Sequence, residues 1–262
     1  MPFDRSRGTS FDAVADLYAE ARPGYPDEMV DEIVSFSGIP SDGRILEIGC
    51  GPGNATAPFA ARGYAMLCLE PGERMVALAR ERFRDRPTVR FERTTFEDWP
   101  LERAAFDLAI AASAFHWIEP GVGYPKAANA LRDGGTLALF WNRTPPEETP
   151  LRRALDDAYR RIAPEIARAG APMPLDGQIR RTVDEIDASG AFGPVTVRRF
   201  PWTTSYDADQ YIGLLNTHSD HLALPDDKRE ALCDAVRAEI ERIGGIVERT
   251  YVAALHMARV RR

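Results

Sequence analysis

Short apolar runs alternate along the chain with segments in which apolar residues recur every three or four positions. The runs have the length of buried strands, and the periodic segments have the spacing of amphipathic helices. The predicted strands are residues 45–48, 64–69, 89–93, 106–111, 136–141, 195–202 and 251–260. The predicted helices include residues 55–61, 73–84, 151–169, 181–189, 206–215 and 226–243. Strands that alternate with helices predict an α/β fold with a doubly wound, mostly parallel sheet.

The first predicted strand leads directly into a glycine-rich segment. Residues 45–53 have the sequence Ile-Leu-Glu-Ile-Gly-Cys-Gly-Pro-Gly, with Gly49, Gly51 and Gly53 at alternate positions. Glycine permits a sharp turn and lets a ligand approach the backbone closely. The helix that follows presents free N–H groups to the same space. The sequence therefore predicts a cofactor-binding loop.

The spacing of this loop disfavours two common classes of cofactor site. The dinucleotide fingerprint G-x-G-x-x-G/A requires a third small residue where this chain has Asn54. A nucleotide P-loop requires a Lys-Ser/Thr pair after the glycines, and none follows here. An NAD(P) oxidoreductase is therefore the weaker interpretation.

Polar and aromatic residues follow the next two strands. Glu70 ends the second strand, where a carboxylate can accept hydrogen bonds from both hydroxyls of a ribose; the alternative is an ordinary exposed strand end. Phe96 and Glu97 follow the third strand and suit an adenine, one by packing and the other by accepting from its amino group. The alternative for this pair is core packing and a helix cap. Ligands of parallel α/β sheets bind at these strand ends, so we expect one shared site.

These motifs together resemble class I (Rossmann-like) methyltransferases that use S-adenosylmethionine (SAM). The resemblance lies in Phe11, Ala15, Tyr18, Arg22-Pro23-Gly24-Tyr25-Pro26, the E-x-G-x-G-x-G loop, Phe96-Glu97-Asp98-Trp99 and Ala114-Phe115-His116-Trp117. It is strongest to the subgroup of trans-aconitate methyltransferase-like and type 11 methyltransferases. It covers residues 11–142 well and the rest loosely, through residues 214–219 and the last strand. It implies a seven-stranded sheet whose last strand is antiparallel, with helices on both faces and a helical cap.

The resemblance also implies which residues contact SAM. They are Tyr18, Arg22, Glu47, Gly49, Cys50, Gly51, Gly53, Glu70, Pro71, Met75, Phe96, Glu97, Ala112, Ser113 and Trp117. Within this set, Tyr18 and Arg22 resemble residues that close over SAM, and a guanidinium suits the methionine carboxylate. Ala112 and Ser113 are expected beside the methionine amino group.

The candidates for contact with the methyl acceptor come from three parts of the chain. They are His116, Trp141, Asn142, Thr217, His218 and His221. His116 is a general base or a substrate contact, or it packs against Trp117 instead. In the predicted cap, His218 and His221 beside Thr217 bind a carboxylate or a hydroxyl group of the acceptor, or they form a solvated helix end. The sequence predicts no metal site, because the four histidines show no ligand spacing with cysteines or acids.

We expect a single methyltransferase domain over residues 1–262. Within it, residues 1–38 form N-terminal helices that close over SAM, and residues 39–142 form the SAM-binding core. Residues 143–180 form a helical insertion, and residues 204–247 form the helical cap. Residues 181–203 and 248–262 complete the sheet.

Composition narrows the partners and the location. The net charge of −7 disfavours a nucleic-acid backbone, because phosphate contacts need a basic face. The first 30 residues lack the apolar core of a signal peptide, and the chain has no long apolar stretch. The three cysteines are an odd number without metal spacing, which favours a reduced cytoplasmic protein. We expect a monomer or homodimer with no membrane partner.

The sequence thus predicts a SAM-dependent methyltransferase that acts on an O, N or C atom of a small molecule. The alternative is a SAM-binding protein without transferase activity, such as a sensor or an assembly partner. A nucleic-acid or protein methyltransferase is weaker, because Ala112-Ser113-Ala114-Phe115 stands where an Asn-Pro-Pro-Tyr-like motif would lie.

Overall fold

The computed structural model describes residues 10–146, 148–167 and 173–261. The strands are β1 (Arg44–Ile48), β2 (Ala65–Glu70), β3 (Val89–Arg93), β4 (Phe106–Ala112), β5 (Leu131–Arg143), β6 (Thr196–Asp207) and β7 (Ile246–Arg259). The helices are α1 (Ala15–Ala21), α2 (Asp27–Ser37), α3 (Thr56–Ala61), α4 (Glu73–Arg82), α5 (Pro120–Ala130), α6 (Pro150–Ile162), α7 (Leu175–Ala188), α8 (Ala208–Leu215), α9 (Ser219–Leu222) and α10 (Asp226–Arg242). Two 3-10 turns, Ser10–Val14 and Phe115–Trp117, precede α1 and α5.

The strands form one seven-stranded sheet in the order β3-β2-β1-β4-β5-β7-β6. The first five strands pair in parallel, and β7 runs antiparallel to both β5 and β6. The predicted fold class is therefore confirmed, including the antiparallel last strand. The topology brings the carboxyl ends of β1, β2, β3, β4 and β5 to one edge.

Side chains alternate between the two faces of the sheet, and both faces are covered. In β4, Leu108 and Ile110 pack into the core layer beneath α2, α3 and α4. Ala109 and Ala111 from the same strand pack into the opposite layer with α5 and α7. A strand buried on both faces has the continuous apolar run that the sequence shows.

A third apolar cluster lies outside the two layers of the sheet. Leu155 of α6 packs with Leu214 of α8 and with Leu232, Val236 and Ile240 of α10. These helices form the helical cap, which packs against the outer strands β6 and β7. The predicted domain boundaries stay predictions, and some of their residues, including 1–9 and 168–172, lie outside the described residues.

Several predicted element boundaries differ from the structure. Strand β6 continues to Asp207 rather than ending at residue 202, and β7 begins at Ile246 rather than at residue 251, because the two strands pair over their whole length. Helix α8 begins after Asp207, whose side chain forms a capping box with Gln210. Helix α7 begins at Leu175 rather than at residue 181, and Pro174 precedes its first turn.

Among the residues that the structure describes, every helix is too short or too polar to span a lipid bilayer.

The turn after β1 depends on Gly49. Its φ angle is 71°, in the left-handed region that favours glycine. Its N–H donates to the carbonyl of Leu69 at 2.9 Å, which ties the loop to the end of β2. A Cβ at this position would lie 2.5 Å from the Cβ of Ala114, in the loop after β4. The close approach of the two loops therefore requires glycine.

We expect Gly49→Ala to lower the free energy of unfolding by about 2–4 kcal/mol, because steric overlap adds to left-handed strain. Gly63→Ala is the matched control, since Gly63 has a φ of 87° and open space around its Cβ position. That control should cost only the strain, about 1–2 kcal/mol. Urea denaturation of both variants measures the difference. Equal losses would contradict the steric role of Ala114.

Candidate active site

A cleft with a volume of about 500 Å³ opens at the carboxyl edge of the strands. A smaller lobe of about 170 Å³ continues toward β7. Eight residues line both parts, and all eight are predicted site residues. They are Tyr18, Arg22, Gly49, Gly51, Ala112, Ser113, Asn142 and His218. The loops after β1 and β4 thus meet the N-terminal segment and the cap around one space.

Glu70 lies at the end of β2 and accepts two backbone hydrogen bonds. Its Oε2 accepts from the N–H of Gly51 at 3.0 Å, and its Oε1 accepts from the N–H of Gly72 at 2.9 Å. Burial raises the pKa of Glu70 above its usual value, although both N–H groups oppose that shift. The carboxylate is therefore held in one orientation at the wall of the large cleft, beside Pro71 and Met75.

The N-terminal segment, residues 12–25, crosses the cleft and is held near each end by hydrogen bonds. Oδ1 of Asp12 accepts from the backbone N–H groups of Arg74 and Met75 at 2.8 and 3.0 Å, at the start of α4. Arg22 donates from Nε to Oγ1 and from Nη2 to the carbonyl of Thr217, both at 2.8 Å. The segment therefore links the β2 side of the cleft to the helical cap.

Ser113 follows β4 with a left-handed backbone, at a φ angle of 54°. Its N–H donates to the carbonyl of Phe140, and its Oγ lies 3.1 Å from the hydroxyl of Tyr25. Burial raises the pKa of the Tyr25 hydroxyl, which stays protonated. Strained residues of this kind collect at ligand sites, where the surrounding structure holds them in place.

On the β3 side, the wall of the cleft includes Phe96 but not its neighbour Trp99. Phe96 is buried and stacks on Trp99 with ring centroids 6.1 Å apart. Nζ of Lys126 donates to the carbonyls of Glu97 and Trp99 at 2.8 and 2.6 Å, which fixes the turn. Phe96 and Glu97 both line the cleft, and their contact with an adenine stays a prediction.

His116 and Trp141 meet at the opposite end of the same cleft. The indole Nε1–H of Trp141 donates to Nδ1 of His116 at 3.2 Å. The imidazole is open to the cleft, yet loss of water on its protein side lowers the pKa of His116 to about 4. The positive charges of Arg143 and Arg181 add to this shift. His116 is therefore neutral near pH 7, and it packs against Trp117 as well as contacting the cleft.

Four of the predicted site residues do not line the cleft. Glu47 is fully buried behind the glycine loop, where its Oε2 accepts from Oγ1 of Thr56 at 2.6 Å. Gly53 packs against Phe83, and a Cβ at this position would lie 2.4 Å from the ring of Phe83. Thr217 is buried and holds Arg22. His221 is buried, with Nε2 2.7 Å from the hydroxyl of Tyr159. These residues support the site from behind.

The structure adds lining residues that the sequence reasoning did not select. They are chiefly Asp12, Tyr25, Arg143 and Arg249. Tyr25 lay inside a quoted motif, and Arg143 directly follows the candidate Asn142. No sequence pattern indicates Asp12 or Arg249, because the residues that they contact are distant in the sequence.

Within the described ranges, histidine, cysteine and acidic side chains form no cluster that would hold a metal ion. The three cysteines are free, and Cys50 lies in the wall of the smaller lobe.

Comparison with known proteins connects this geometry to one enzyme class. A methyltransferase domain family matches residues 45–135. An uncharacterized methyltransferase of Mycobacterium tuberculosis is 27% identical over 89% of this chain and 86% of its own length. The trans-aconitate 2-methyltransferase of Variovorax paradoxus is 32% identical over 51% of this chain and 54% of its own. The structure of a putative type II methyltransferase from Anaeromyxobacter dehalogenans superposes with a TM-score of 0.64 at 22% identity, covering 91% of this chain and 97% of that one.

Glu47 generates a prediction on pH-dependent stability. Burial raises its pKa from 4.5 to about 7, so the folded chain binds more protons than the unfolded chain within that window. The free energy of unfolding of the wild type should therefore fall as the pH rises through the window. Glu47→Gln cannot ionise, and its stability relative to the wild type should increase by an amount on the order of 3 kcal/mol.

Urea denaturation across pH 4.5 to 7 tests this expectation. Glu92→Gln is the control, because Glu92 is exposed on β3 and should show no such trend. A Glu47→Gln difference that stays constant with pH would contradict the burial of an ionising carboxyl group.

Proposed function

We propose that the chain is a Rossmann-like, SAM-dependent methyltransferase and that it transfers the methyl group of SAM to an O, N or C atom of a small molecule; the matching methyltransferase domain family, the methyltransferase relatives and the shared fold support this proposal. The observation that supports this most is Glu70, held by the N–H groups of Gly51 and Gly72 in the wall of the cleft. A carboxylate oriented in this way retains lone pairs for two vicinal hydroxyl groups.

The residues present fit SAM. Gly51 has a φ angle of 53°, and among the described residues that are not its chain neighbours, only Cε1 of Tyr18 approaches its Cβ position, at 4.0 Å, so the backbone is open to the cleft. Glu70 would hold the ribose, and Phe96 with Glu97 would hold the adenine. Ala112 and Ser113 lie at the other end of the cleft, where the methionine portion would bind. The volume of about 500 Å³ lies in the range of ordinary cofactor sites.

When bound, SAM supplies a methyl group on a sulfonium, which makes that methyl group a good electrophile. The protein's contribution is to align the acceptor and to exclude water. Arg22 and Asp12 hold the N-terminal segment across the cleft, which limits access of water. His116, Trp141 and Asn142 form the wall where an acceptor would lie.

A small acceptor is proposed because two other parts of the chain border the cleft. The N-terminal segment and His218 of the cap both line the cleft, and Arg22 bonds to Thr217 of the cap. The net charge of −7 supports an acceptor other than a nucleic acid. The free cysteines support a reduced, cytoplasmic setting.

Calorimetric titration of the purified protein with SAM, S-adenosylhomocysteine, NADH and NADPH tests the proposal. We expect micromolar binding of the two adenosyl sulfur ligands and none of the nicotinamide cofactors. Binding of NADH or NADPH instead would overturn the proposal.

Glu70→Ala should weaken binding of S-adenosylhomocysteine about 10- to 100-fold, because it removes a charged acceptor for the ribose hydroxyls. The control is Glu92→Ala, which removes an exposed carboxylate from β3 and should leave the affinity unchanged. Calorimetry measures both affinities, and circular dichroism checks that the fold persists. Equal affinity of Glu70→Ala and the wild type would exclude the ribose role.

A further inference from the structure

Arg143 is a cation in the wall of the cleft that has no carboxylate partner among the described residues. It ends β5, is partly buried, and lines the large cleft. Its guanidinium carbon lies 5.1 Å from the ring centroid of Trp141. Burial lowers the pKa of Arg143, since a charge removed from water is costly without a counter-ion. The guanidinium therefore has unused donors beside the cleft.

His116 adds a second donor of defined orientation. The indole of Trp141 can only donate, so Nδ1 of His116 must carry the lone pair that accepts it. The neutral ring then carries its proton on Nε2. A protonated ring would lose the bond from Trp141, because both nitrogens would be donors. His116 thus offers the cleft an N–H group and not the free lone pair of a general base.

Trp141 connects the two donors. Its N–H sets the tautomer of His116, and its face supports the guanidinium of Arg143. Both interactions come from a buried side chain of β5, a rigid element of the sheet. Donors fixed in this way lose little conformational freedom when they bind an oxygen ligand.

Charges are separated along the cleft. The carboxylates of Asp12, Glu70 and Glu97 lie toward β2 and β3, and the guanidinium groups of Arg143 and Arg249 lie toward β5 and β7. Arg249 donates to Thr144 and packs on the rings of Tyr211 and Tyr251, and its buried Nη1 has no hydrogen-bond partner among the described residues.

The cap contributes one acid, Asp220, whose Oδ1 accepts from the N–H of His221. A positive end in a chain of net charge −7 is a local feature and not a consequence of composition.

We propose that the methyl acceptor carries an anionic oxygen group, a carboxylate or a phosphate, and that Arg143 and the Nε2–H of His116 bind it, with Trp141 as the residue that positions both. This inference rests on the proposed methyltransferase function, since it describes the acceptor side of the same cleft. It replaces the expected general base with a hydrogen-bond donor.

Binding of small anions to the protein saturated with S-adenosylhomocysteine tests the subsite. The probes are succinate, its neutral analogue succinamide, and inorganic phosphate, each titrated calorimetrically at millimolar concentrations. The variant is Arg143→Gln, and the control is Arg90→Gln, which removes one exposed positive charge from β3.

We expect succinate or phosphate to bind the wild type, succinamide to bind at least about tenfold more weakly, and Arg143→Gln to lose at least about tenfold of the anion affinity. Arg90→Gln should bind as the wild type does. Preference for succinate supports a carboxylate acceptor, and preference for phosphate supports a phosphorylated one.

Equal binding of succinate and succinamide, unchanged affinity in Arg143→Gln, or binding of no anion would overturn the inference. Binding of S-adenosylhomocysteine is measured first in the same preparation. Its absence would overturn the proposed function, whereas its presence without anion binding overturns the acceptor subsite alone.

A second experiment tests the positioning role of Trp141. In ¹⁵N-histidine spectra, assigned with His116→Asn, we expect the His116 ring to be neutral near pH 7 with its proton on Nε2. Trp141→Phe retains an aromatic face but removes the N–H, so the tautomers of His116 should mix and its pKa should rise. A proton on Nδ1 in the wild type, or identical spectra in Trp141→Phe, would contradict this role.

Discussion

Parallel pairing of β1 with β2 on one side and β4 on the other is the constraint on which the cleft depends. The registers place Ile48 beside Leu69 and Glu47 beside Ile110, so the three strands end within a residue or two of one another. Their loops therefore begin at the same edge and hydrogen-bond to one another, as where the backbone N–H of Gly51 after β1 donates to the side-chain Oε2 of Glu70 at the end of β2. A hairpin could not produce this arrangement, because antiparallel strands end at opposite edges.

The N-terminal segment and the cap convert an open edge into an enclosed cleft. Asp12 caps the start of α4, Tyr25 meets Ser113 after β4, and Arg22 binds Thr217 of the cap. Each bond joins a different part of the edge to the same short stretch of chain. The segment therefore contacts several sides of the cleft and joins them to one another.

Local patterns explain why the strands and the glycine loop were predictable, while the supporting contacts were not. The apolar run of β4 is buried on both faces of the sheet, so its amino-acid composition alone predicts a strand. The bond between Arg22 and Thr217 joins residues 195 positions apart, and no periodicity reveals it. The outer strands β6 and β7 are mostly polar where they pair at residues 203–205 and 248–250, so no apolar run predicts their full length. Glu47 belongs to the right motif but lies behind the loop, since strand alternation turns it away from the cleft.

The neutral state of His116 is what makes the acceptor end of the cleft selective. A positive imidazole would add charge beside Arg143 and Arg181, and the fold opposes this by lowering the pKa of the ring to about 4. A neutral ring keeps two distinct functions, an acceptor toward Trp141 and a donor toward the cleft. The positive charge at this end then comes from guanidinium groups, and the Nε2–H of the imidazole orients the bound oxygen group. An anion is attracted by Arg143 but is oriented by a hydrogen bond whose polarity Trp141 fixes, so the site distinguishes an oxygen acceptor from a donor group of the same size.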